Sequence, residues 1–139
     1  MWKSSGASST ITNWLNVNPP GISLGGTGTL NIDAGGNVSA DSSFVGTDPG
    51  SIGHVNITGG AWSVNGSPVI GEHGLGTMSI SGGGTVTDNG AFMGRFSDGD
   101  GDVTVTGAGS TWTNNGALTV ASSGTGTLTI QNGGLVTST

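Results

Sequence analysis

Apolar and polar residues alternate in five short segments: Gly28-Thr29-Leu30-Asn31-Ile32, Gly53-His54-Val55-Asn56-Ile57, Gly76-Thr77-Met78-Ser79-Ile80, Gly101-Asp102-Val103-Thr104-Val105 and Gly126-Thr127-Leu128-Thr129-Ile130. A period of two predicts a strand with one buried face. Leu30/Ile32, Val55/Ile57, Met78/Ile80, Val103/Val105 and Leu128/Ile130 then point inward, and the Thr, Asn, Ser, His and Asp residues between them face water. The segments start 25, 23, 25 and 25 residues apart. After each comes a glycine turn and a second apolar position, at Val38, Trp62, Val86, Trp112 and Val136. A third, shorter touch follows at Phe44-Val45, Val69-Ile70, Phe92-Met93 and Leu118-Thr119-Val120. Asn65-Gly66, Asn89-Gly90 and Asn115-Gly116, with Asp41-Ser42 in the first copy, mark the corner between second and third strands, since Asn and Gly tolerate the left-handed backbone of tight corners.

Three short strands every ~24 residues cannot bury their apolar faces alone and must stack on their neighbours. The pattern predicts an all-β fold: a parallel β-helix (β-solenoid) of about five coils, each strand pairing with its equivalent one repeat later. Parallel crossovers are right-handed in nearly all proteins, so the expected hand is right. The whole chain, 1–139, reads as one domain. Residues 26–139 form the repeat coils, and 1–25 an irregular N-terminal coil or cap-like segment. Gly6-Ala7-Ser8-Ser9-Thr10-Ile11-Thr12-Asn13 matches Gly107 to Asn114 loosely.

Composition narrows the partners. The chain has 30 Gly, 18 Ser, 19 Thr and 11 Asn, no Cys, and eight carboxylates against two bases, for a net charge of −6. Such a surface has no basic patch to release counterions, so no nucleic-acid partner is expected. No apolar run approaches membrane-spanning length, and no membrane insertion of this segment is expected. Without cysteine, stability must come from packing and backbone pairing.

The segments GTGTLNIDAGGNVSADSSFVG, GTMSISGGGTVTDNGAFMG and GAGSTWTNNGALTVASSGTGTLTIQNGGLV resemble the repeats of bacterial autotransporter passenger domains, and the opening WKSSGASSTITNWLNVNPPG is similar to the Trp-rich stretch that often precedes them. The resemblance implies a secreted β-helical stalk displayed on the bacterial cell surface, often adhesive.

Candidate chemistry is sparse. Asp98, Asp100 and Asp102, spaced by two, form the one carboxylate cluster that suggests Ca²⁺, although the Gly and Glu positions of an EF-hand-type loop hold Val103 and Gly109. A solvated turn is the competing reading, and the preferred one. Arg95 beside that loop supplies the only constellation for a lyase-like carbohydrate enzyme. His54 and His73 read as surface residues, and Trp62 and Trp112 as members of a core column rather than a sugar-stacking pair. The Thr pairs Thr85/Thr87, Thr111/Thr113 and Thr127/Thr129 raise an ice-binding solenoid as a lesser alternative. The leading expectation is a structural or adhesive extracellular segment with no catalytic residues and no cofactor. Its partners would be further copies of itself, joined end to end, and a glycan or protein on a host surface.

Overall fold

A computed structural model describes residues 21–139 and, before them, the backbone of three strands within 1–20. The chain winds through three strands at a time. The first winding has β1 (Trp2–Ser4), β2 (Ser8–Ile11) and β3 (Trp14–Val17), and the second β4 (Ile22–Leu24), β5 (Thr27–Asp33) and β6 (Asn37–Ala40). The third has β7 (Ser43–Val45), β8 (Ile52–Thr58) and β9 (Ala61–Val64), and the fourth β10 (Val69–Ile70), β11 (Leu75–Ser81) and β12 (Thr85–Asp88). The fifth has β13 (Ala91–Met93), β14 (Asp100–Thr106) and β15 (Thr111–Asn114), and the last β16 (Leu118–Val120), β17 (Thr125–Gln131) and β18 (Leu135–Ser138). Every third strand joins the same sheet. The orders are β1-β4-β7-β10-β13-β16, β2-β5-β8-β11-β14-β17 and β3-β6-β9-β12-β15-β18, all parallel. This is the expected β-solenoid, with no helix among the described residues.

The register follows the repeat. Leu30 pairs with Val55, Val55 with Met78, Met78 with Val103, and Val103 with Leu128. On the third sheet Val38, Trp62, Val86, Trp112 and Val136 are consecutive partners. These rows make a continuous interior in which Leu30, Ile32, Val55, Ile57, Met78, Ile80, Val103 and Val105 are all buried. Removing such a side chain from water contributes roughly 1.5–3 kcal/mol, the main force holding so glycine-rich a chain folded. Trp62 and Trp112, 1% and 0% exposed, fill the same rows beside the smaller valines, so both belong to the core.

The opening segment makes a winding of its own, with one strand in each sheet. Its likeness to 107–114 carries the wrong phase: Ser8–Ile11 pairs with Thr29–Ile32 on the second sheet, whereas Thr111–Asn114 lies on the third. Both sheets alternate polar and apolar residues in the same small-residue composition, so local likeness alone does not fix which sheet a strand joins.

Candidate functional site

The candidate residues gather at the corner that carries the chain from the first sheet to the second. There Gly46, Gly71 and Gly94 turn it with φ of +70°, +74° and +59°, and Ala121 takes the same place at +57°. Each corner loop lies on the one before it. Arg95 N donates to Gly71 O at 2.9 Å, Phe96 N to Glu72 O at 3.2 Å, and Asp100 N to Gly74 O at 3.0 Å. That backbone ladder fixes where the side chains meet.

Arg95 Nη1 stands 3.4 Å from Glu72 Oε1, and its guanidinium carbon lies 5.3 Å and 5.6 Å from the ring centres of Phe96 and Phe92. His73 stacks on Phe96 with ring centres 4.3 Å apart and planes 10° from parallel. Its Nδ1 donates to Asp98 Oδ1 at 2.9 Å, and this hydrogen bond holds the Asp98 carboxyl below its ordinary value. The three aspartates do not act together. Asp98 turns to His73 one winding back, Asp100 accepts from Thr125 Oγ1 at 2.6 Å one winding ahead, and Asp102 sits on β14 between Thr77 and Thr127. Among the described residues no three His, Asp or Glu side chains are grouped so as to hold a metal. The corner is therefore a set of aromatic, cationic and anionic side chains that satisfy one another across windings.

The outward faces are ladders of small polar groups. His54 Nδ1 and Thr77 Oγ1 are 2.6 Å apart, and Asn56 Nδ2 donates to Asn31 Oδ1 at 2.9 Å. On the third sheet Ser39, Ser63, Thr87, Thr113 and Thr137 are successive partners, a row of hydroxyls with no gap. The neighbouring row is mixed, with Asn37, Ala61, Thr85, Thr111 and Leu135. Thr127 and Thr129 lie on the second sheet, apart from both rows.

Among the described residues one titratable side chain is buried. Asp88, 1% exposed, occupies an inward position of β12. Its Oδ2 accepts from Trp112 Nε1 at 2.6 Å and its Oδ1 from Gly90 N at 3.3 Å. Burial nevertheless pushes its pKa up from 3.8 to about 6, because two neutral donors only partly replace the water lost to the carboxylate. Trp62 Nε1 has no such acceptor. The place equivalent to Asp88, two residues on and one winding back, is held by Ala40.

The sequence reading missed these pairs, although their signal was present. His73 and Asp98 are 25 residues apart, Trp112 and Asp88 24, Arg95 and Glu72 23, each one winding. Asp88 also continues the period-two pattern from Val86 and is inward by count alone. Comparison of the chain with known protein families, curated proteins and solved structures finds no match.

Proposed function

We propose that this chain is a structural stalk segment of an autotransporter-like protein on the bacterial cell surface, which spaces and presents adhesive contacts and joins further windings end to end. The observation that supports the reading is the open last winding. Val120 and Ile130 are 40% and 48% exposed, although the side chains beneath them in the same rows, Met93 and Val105, are wholly buried. Strands β16, β17 and β18 each pair with a described strand on one side only. Any winding stacked on that face would extend the same apolar rows and backbone pairing. The outward Ser, Thr and Asn ladders supply a polar surface suited to a host glycan or protein.

Sedimentation velocity of the isolated chain over a wide concentration range tests the association. The wild type is expected to grow in size with concentration, and Ile130→Lys, which plants a charge on the end face, to stay monomeric. A wild type that remains monomeric throughout would refute end-to-end joining.

The gap-free hydroxyl row on the third sheet favours one second reading, ice binding. Thermal hysteresis that disappears in Thr113→Tyr would support it, and wild-type protein without hysteresis would remove it.

A further inference from the structure

Four Asn-Gly steps occur among the described residues, and they are held very differently. At Asn65-Gly66, Asn65 Nδ2 donates to Asp41 Oδ1 at 2.9 Å and Asn65 O accepts from Asn89 Nδ2 at 2.7 Å, so side chain and carbonyl are both fixed. Asn89 is tied through that same bond, and Gly90 N donates to Asp88 Oδ1. At Asn115-Gly116, Gly116 N donates to Asn114 Oδ1 at 2.8 Å, and a Cβ built on Gly116 would meet Asn89 O at 2.5 Å, so that glycine has no room to move.

Asn132-Gly133 is held more loosely. Both residues are exposed in the turn between β17 and β18, which Gly134 N closes by donating to Gln131 O at 3.0 Å. Asn132 is one of two described non-glycine residues with left-handed backbone, at φ +52°, and Gly133 follows at +84°. The nearest atoms to a Cβ on Gly133 are 3.6 Å away. Only the bond from Asn132 Nδ2 to Thr106 Oγ1, 3.1 Å long and exposed, restrains the side chain. The amide of Gly133 donates to no described group.

The geometry points to Asn132-Gly133 as a built-in deamidation site, the one Asn-Gly step at which the folded chain modifies itself. Solvent hydroxide removes the Gly133 amide proton, and the nitrogen attacks Cγ of Asn132. The new Cγ–N bond forms as the Cγ–Nδ2 bond breaks, Nδ2 leaves as ammonia, and a five-membered succinimide remains. Water then opens either carbonyl of the ring, giving aspartate or the β-linked isoaspartate. The reaction needs no reactant besides water and base. The glycine has no side chain to obstruct the attack. The β-linked product lengthens the backbone at the entry to β18, the strand whose register places Val136 beside Trp112.

The test is to age the native chain in mildly alkaline buffer and to measure conversion at all four steps by peptide mapping with an isoaspartate-specific enzymatic label. Each rate is divided by the rate of the same step in the urea-unfolded chain. Each hydrogen bond that must break before ring closure slows the reaction by about two- to tenfold. Asn132 has only its exposed bond to Thr106 to lose, whereas Asn65 and Asn89 are held by two each and Gly116 is both bonded and hemmed in by Asn89 O, so Asn132 is expected to lead the other three. Thr106→Val should speed Asn132 further without moving the others. Asp41→Ala, at the surface, should raise Asn65 alone, and Asn114→Ala should raise Asn115. Equal normalised rates at all four steps, or Asn115 or Asn89 ahead of Asn132, would overturn the proposal, as would an Asn132 still intact when its unfolded counterpart has converted.

Discussion

Asp88 makes the stability of this solenoid depend on pH in the direction opposite to that of most carboxylates. The native pKa of about 6 lies above the ordinary 3.8, so between those values the folded chain holds a proton that the unfolded chain has released. Stability is therefore fully present below the unfolded value and falls as pH rises through about 6. A shift from 3.8 to about 6, at 1.36 kcal/mol for each pKa unit, corresponds to a loss of about 3 kcal/mol between acid and neutral pH. Asp88→Asn keeps the shape and one acceptor for Trp112 Nε1 but cannot ionise. Urea unfolding of both proteins from about pH 4 to pH 7.5 isolates the effect, because the exposed carboxylates common to both cancel in the difference. About 2.4 kcal/mol of that loss falls between pH 4 and pH 7.5, so with an m-value of about 2 kcal/mol/M the midpoint difference between the two proteins should change by about 1.2 M across that range. Wild type and Asp88→Asn curves that stay parallel would refute the argument, for the buried carboxylate would then carry no native-state penalty.

Other consequences follow from the same packing. Trp112→Phe leaves the buried Asp88 with one long hydrogen bond and should cost about 2–3 kcal/mol at neutral pH, whereas Trp62→Phe removes an unpaired N–H and should cost under about 1 kcal/mol, both read by urea unfolding. A Cβ at Gly76 would sit 2.2 Å from Gly71 N and 2.6 Å from Val45 O, both backbone atoms, so Gly76→Ala should lose more than about 3 kcal/mol or fail to fold, as circular dichroism would register. His73→Ala removes the hydrogen bond that lowers Asp98, and carboxyl NMR titration should find the Asp98 pKa higher than in the wild type.

The rows of Leu30, Val55, Met78, Val103 and Leu128 could be read before any coordinate because a repeat of 23 to 25 residues leaves few other ways to bury them together. The phase of the opening segment could not, since Thr10-Ile11 and Thr111-Trp112 look alike locally and only the lengths of the intervening corners assign Ile11 to the row of Ile32. At the corner, the Asp98–Asp102 cluster was conspicuous because its members are near in sequence, yet a winding turns adjacent acids toward different neighbours. His73 and Asp98, distant in sequence, are partners for the same reason. Ile130 occupies its expected inward position but stays half exposed, because burial here depends on the winding above as much as on the residue itself.

Since side chains bond mainly to the winding before or after their own, strength in this molecule is local. A defect at one level, such as a displaced ring or a modified turn, weakens two interfaces and leaves distant levels untouched. Opening would begin at an uncovered face and proceed level by level. Evolution could lengthen or shorten such a rod by whole turns without redrawing what remains.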